Sequence, residues 1–176
     1  PEKLHTASIR SVEIRIPWRE YEPSPGIYSL EKISFLKDRV EMFKRHGLKG
    51  ILNIEWHRYP EWIWQIPDSS HIAADGTRSA DLPKGSRGRR PNIVFNQRVR
   101  DHLTGVIRSV AKELRPENFF GVRVSNGGIQ GELAYPDASN RGWWAYEANT
   151  GNNSSSRPAT IPLLPSGAWR PGDAID

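Results

Sequence analysis

From Ser11 to Ile16 the side chains alternate, with Val12, Ile14 and Ile16 apolar and Arg15 polar between them. A period of two predicts a strand with one apolar face, and Pro17, which has no amide to donate to a ladder, closes it. Two prolines and a glycine make Glu22-Pro23-Ser24-Pro25-Gly26 a loop. The period then changes. Leu30, Ile33, Leu36, Val40 and Phe43 recur every three or four positions, with Lys37, Asp38 and Arg39 between them and Phe35 and Met42 beside them. This predicts a helix capped by Ser29 and ended by Gly47 as its C′ residue. Gly50 to Trp56 reads as a second strand after the short Leu48-Lys49 connection, so the three elements predict a right-handed crossover unit. A second helix is expected over roughly Gln97 to Leu114, with Val99, Leu103, Val106, Ile107 and Val110 on one face, and it leads into Phe119–Val124, which reads as a buried strand.

The fold class is therefore α/β, with three strands and two intervening helices. Between His57 and Asn96 the composition turns to Pro, Gly, Ser and Arg, which predicts a long loop retained for a functional or binding purpose. After Pro136 the pattern lapses again, through Gly151-Asn152-Asn153-Ser154-Ser155-Ser156 and four prolines between Pro158 and Pro171. The expected organisation is a strand-helix core over 1–136 and a long loop region over 137–176.

Composition narrows the classes. A chain of 176 residues with 36% hydrophobic residues and a mean hydropathy of -0.64 has the size of one ordinary domain, and no run nears the roughly 20 apolar residues of a membrane span, so no membrane partner is expected. Without cysteine there are no disulfides, thiolate metal sites or cysteine nucleophiles, and the localisation stays open. The net charge of +5 is concentrated in Arg78, Lys84, Arg87, Arg89, Arg90, Arg98 and Arg100, which would permit nucleic-acid binding. These cations are not interleaved with aromatics on a strand, and no helix-turn-helix, zinc-finger or RNP-like pattern accompanies them. Nucleic acid is thus not the expected partner, although a basic nucleic-acid-binding domain stays as the least favoured alternative. No Walker loop, Gly-x-Gly-x-x-Gly helix start or His-Glu-x-x-His pattern occurs, so neither a cofactor nor a metal is expected.

The most informative segment is Gly127-Gly128-Ile129-Gln130-Gly131-Glu132-Leu133-Ala134-Tyr135-Pro136, which directly follows the third expected strand. Glycines permit a sharp turn and close approach to a ligand, and Tyr135-Pro136 stiffens the exit. Glu132 is thereby expected at the carboxyl end of a strand, where α/β barrels keep their catalysts. Gly131-Glu132-Leu133 with Tyr135-Pro136 resembles the acid-bearing motif of the β-amylases. Upstream, Trp18, Glu22-Pro23, Gly26 and Tyr28 are similar to the Trp-x-x-x-Glu-Pro-x-x-Gly-x-Tyr pattern of the barrel-fold bacterial β-galactosidases of glycoside hydrolase family 42. His46-Gly47-Leu48, Pro60-Glu61-Trp62, Asp75-Gly76 and Gly85-Ser86-Arg87 continue that likeness in order. The β-galactosidases carry Asn before the acid where this chain has Gly131, and the β-amylases carry a long glycine-rich lid where only His57-Arg58-Tyr59 separates Trp56 from Pro60. The likeness thus reaches the clan of (β/α)₈ glycoside hydrolases rather than either substrate.

This resemblance implies a partial (β/α)₈ TIM barrel covering about strands 2–4, within a single catalytic domain that the 176 residues do not complete. It implies glycoside hydrolysis of an oligosaccharide or β-galactoside-like substrate, with Glu132 as general acid and the second carboxylate beyond Asp176. It also implies that Arg87, in Gly-Ser-Arg, helps to hold an active-site carboxylate. From the residues themselves, Trp56 and Trp143 or Trp144 are candidates to line a sugar subsite, though large aromatics also serve as packing. His57 and Asn126 are candidates to bind or orient substrate, against a structural imidazole and an Asx turn. Glu55 is expected to hold a sugar hydroxyl or to pair with an arginine. The alternative from another class is a non-catalytic, carbohydrate-binding relative of the barrel in which Glu132 only forms a hydrogen bond.

Overall fold

The structure, a computed structural model, describes residues 9–73, 75–86, 88–123 and 158–160. Among these, residues 9–60 and 102–123 belong to one compact unit, and 61–101 with 158–160 to another.

The first unit is built on a parallel sheet of β1 (Ser11–Pro17), β2 (Lys49–Glu55) and β3 (Phe119–Arg123), in the order β1-β2-β3. Arg15 pairs with Asn53, which pairs with Arg123, and Ile14, Leu52 and Val122 form the adjacent row. Side chains alternate across a sheet, so one face carries Ile14, Ile16, Leu52 and Ile54, all buried. The other carries Glu13, Arg15, Asn53, Glu55 and Arg123. Gly50 sits opposite Phe119 at a register shift, and a Cβ there would come within 2.9 Å of the Ile14 side chain and 3.0 Å of Phe119, so a larger residue would require these side chains to move.

The helices are α1 (Trp18–Tyr21), α2 (Leu30–Arg45) and α3 (Gln97–Leu114), the last entering the first unit at His102. Ser29 caps α2 by accepting the amide of Lys32 at 3.1 Å. At the other end Gly47, at φ 65°, donates to Lys44 O, while Leu48 donates to Phe43 O. This is a Schellman ending with Leu48 and Phe43 both buried, and it turns the chain straight into β2. Ile33, Leu36, Val40 and Phe43 form the buried stripe of α2, as their spacing predicts.

Several expectations need correction. Leu30, the first residue of α2, is 82% exposed and lies off the buried stripe that begins at Ile33. On α3 Ile107 is exposed and Leu114 is buried in its place. The third strand is not buried: Phe120 and Val122 are both more than half exposed, since β3 has β2 on one edge and, among the described residues, no strand on the other. The one-turn α1 is too short to show a period.

The second unit replaces much of the expected loop with ordered short elements: 3₁₀ turns at Glu61–Gln65 and Ser79–Asp81, and bridges pairing Ser70 with Pro91 and Ile72 with Arg78. Its order comes from side chains bonding to backbone rather than from periodicity. Ser79 Oγ donates to Arg90 O at 2.8 Å and accepts the His71 amide at 3.0 Å, and Ser70 Oγ accepts the Ala80 amide. Asn92 accepts the Phe95 amide, and Asn96 accepts the Val99 amide as the cap of α3 while donating to Pro67 O. Trp62, Ile63, Ala73 and Val99 are the apolar residues buried around this scaffold.

Candidate functional site at the carboxyl edge of the sheet

In a parallel sheet all strands end at one edge, and ligands bind in the crevice outside it. Here Pro17 and Glu55 are register partners at that edge, and β2 ends in a tight turn in which Trp56 N donates to Ile54 O and Arg58 N to Glu55 O. The turn is tied to α1 by the Arg19 amide, which donates to Arg58 O at 2.8 Å. The tie brings the expected site residues Trp56 and His57, both partly exposed, beside the buried Glu55. His57 Nε2 lies 4.0 Å from Glu55 Oε1 and Arg58 Nε 3.4 Å from Oε2. Of the two readings of Glu55 from sequence, the arginine partner is present and comes from its own turn.

The polar face of the sheet leads to this edge. Glu13 accepts Asn53 Nδ2 at 2.6 Å, Arg15 Nε at 3.1 Å and Arg123 at 3.2 Å, so one carboxylate joins all three strands. Burial pushes the Glu13 carboxyl upward, but the hydrogen bonds from Asn53, Arg15 and Arg123, with the Arg15 charge, outweigh it and hold it below its ordinary value. Arg15 is 61% exposed and pairs across the face.

Glu22 falls by sequence in a loop and within the Trp-x-x-x-Glu-Pro pattern, without a role of its own. It is fully buried, and its carboxylate accepts Trp18 Nε1 at 2.7 Å and the Gly26 amide at 2.8 Å, with His102 Nδ1 at 2.9 Å. Tyr28 lies beside Gly105 of α3, where a Cβ would come within 2.6 Å of its hydroxyl. The Trp-x-x-x-Glu-Pro-x-x-Gly-x-Tyr spacing therefore describes a structural knot that fixes the loop after β1 onto α3. The signal was in the sequence, since Trp and Glu four apart across a single turn are placed to bond.

Glu132, Arg87, Asn126, Trp143 and Trp144 lie outside the described residues. Of the other tryptophans, Trp18 and Trp62 are core residues. In the second unit part of the basic cluster is engaged internally. Arg89 is bidentate to Glu61 at 2.9 Å and lies over the Trp64 ring, while Arg90 donates to Arg89 O and Ser86 O. Among the described residues no three His, Asp or Glu side chains gather as a metal ion would require, and no helix is long and apolar enough to cross a membrane. No protein-family model matches the chain, and no curated protein matches it.

Proposed function

We propose that the chain is the portion of a (β/α)₈ glycoside hydrolase barrel comprising about its second to fourth strands, and that Glu132 is the general acid. The observation that carries this reading is the coincidence of topology and motif. Three parallel strands lie in sequence order, α2 makes the crossover from the first to the second, and Gly131-Glu132-Leu133 follows the third in sequence. In such barrels helices cover one face of the sheet, the other face turns inward, and loops after the strands carry the chemistry. The apolar face here holds the core with α2, and the opposite face is lined by Glu13, Asn53 and Arg123.

In the proposed reaction Glu132 delivers its proton to the glycosidic oxygen as the bond to the anomeric carbon breaks. A second carboxylate, supplied by a later barrel strand, acts as nucleophile or activates water. Sugar binding falls to the aromatic and polar residues of the carboxyl edge, beginning with Trp56 and His57. The test is hydrolysis of aryl glycosides and oligosaccharides by the full protein and its Glu132→Gln variant. Glu132→Gln keeps the shape of the side chain but removes the transferable proton, so turnover falls at least a hundredfold while ligand binding persists.

A further inference from the structure

Two buried glutamates in the first unit are treated very differently by their surroundings. Glu22 has three close partners at 2.7–2.9 Å. Glu55, only 4% exposed, has Arg58 Nε at 3.4 Å and His57 Nε2 at 4.0 Å, and its Oε2 is buried without a hydrogen bond among the described residues. A buried carboxylate short of donors is costly to the fold, and native proteins rarely keep one without a use. Its position supplies the use. Glu55 ends the central strand at the carboxyl edge, on the polar face it shares with Asn53, beside the partly exposed Trp56. The helical carboxylates Glu20, Glu41 and Glu113 of the unit are each held by a lysine at 2.6–3.0 Å; at this strand end Glu55 Oε2 keeps acceptor capacity that no donor among the described residues uses.

We propose that Glu55 is the hydroxyl-binding carboxylate of this site, accepting hydrogen bonds from adjacent hydroxyl groups of a neutral, polyhydroxylated ring. This inference rests on the sugar-binding part of the reading above and adds the residue that anchors the ring. His57 and Arg58 are positioning residues in it, fixing the carboxylate from its own turn. A residue built for a ligand rather than for the fold has a distinctive signature: Glu55→Gln weakens binding without weakening the protein, because the amide keeps the shape and removes the charge that the fold leaves under-satisfied.

The experiment uses the full protein. Maltotetraose, cellotetraose and lactose are titrated calorimetrically into the Glu132→Gln protein and into Glu132→Gln with Glu55→Gln, and thermal midpoints are recorded for both. The expected result is at least tenfold weaker binding of whichever sugar binds, with a thermal midpoint unchanged or raised. Affinity within twofold, no binding of any of the three, or a midpoint that falls by several degrees or a protein that fails to fold would each overturn it, the last two by making Glu55 a structural partner of Arg58. Arg58→Ala checks that rival, since a structural pair predicts the same thermal loss from either side. The two proposals fail separately. Glu55-dependent binding in a protein whose wild type hydrolyses nothing removes the hydrolase and keeps the anchor. Glu132-dependent hydrolysis with KM unchanged in Glu55→Gln does the reverse.

Discussion

His102 of α3 places its Nδ1 2.9 Å from the carboxylate of Glu22, eighty positions earlier in the chain. The same carboxylate takes the Trp18 indole and the Gly26 amide, so one fully buried side chain ties the exit of β1, the following loop and α3 together. Removing one member of a buried, hydrogen-bonded charged group strands the others.

Glu22→Ala is therefore expected to destabilise the protein by about 3–5 kcal/mol, and Trp18→Phe, which removes only the indole donor and a little volume, by about 1–3 kcal/mol. Denaturant unfolding of the two variants beside the parent checks the order; equal stability of all three would show that the knot contributes nothing.

Tyr28 and Gly105 give a second, separable test of the same packing. Alanine in a helix interior is worth roughly 1 kcal/mol over glycine, yet at Gly105 its methyl would meet the Tyr28 hydroxyl at 2.6 Å, with the next ring carbon at 4.0 Å. Gly105→Ala alone is expected to bring no stabilisation, whereas Gly105→Ala combined with Tyr28→Phe recovers most of the helical gain. A double-mutant cycle reads the coupling, and additivity of the two changes would refute the contact.

The regular elements were legible in the sequence because each rests on a period or a cap: the alternation of β1, the stripe from Ile33 to Phe43, and Ser29 and Gly47 at the ends of α2. What escaped is order without periodicity. Ser70, Ser79 and Asn96 organise the second unit by bonding to backbone groups ten or more positions away, and these partners are set by tertiary placement that local composition does not encode. The exposure of β3 escaped for a related reason, since an apolar run does not say how many neighbours its strand has. Of the candidate site, Trp56 and His57 fall where the strand-end reading puts them, whereas the near-complete burial of Glu55 is not written in its local sequence.

Acid titration should register the ion pair of the second unit. Hydrogen bonds from Arg89, reinforced by the charges of Arg89 and Lys84 and opposed by partial burial, hold the Glu61 carboxyl below its ordinary value. A lowered folded pKa contributes stability that is present above the unfolded value, about 4.3, and is lost as the pH falls through the folded one. Glu61→Gln should consequently narrow the stability gap between pH 7 and pH 3. The change is modest because Glu61 is half exposed and solvent screens the pair. An unchanged pH profile in the variant would remove the pair from the account.

The polar sheet face makes a parallel prediction. Glu13 accepts from Asn53 and Arg123, so Glu13→Ala withdraws one acceptor from all three strands and leaves Asn53 Nδ2, in a buried residue, without it. A loss of about 1–3 kcal/mol is expected, and hydrogen exchange should show the largest increase at β3, which is held from one side only among the described residues. Protection of β3 equal to that in the parent would contradict the network.

Under the proposed function Glu132 donates a proton to a glycosidic oxygen. The most direct measurement of this step is the steady-state hydrolysis of aryl glycosides and maltooligosaccharides by the full protein, wild type beside Glu132→Gln. Hydrolysis by the wild type and at least a hundredfold loss of turnover in the variant are expected, with the loss smaller on aryl glycosides whose leaving groups need little protonation. Hydrolysis that survives unchanged in Glu132→Gln, or a folded wild type that cleaves none of these substrates, would contradict it.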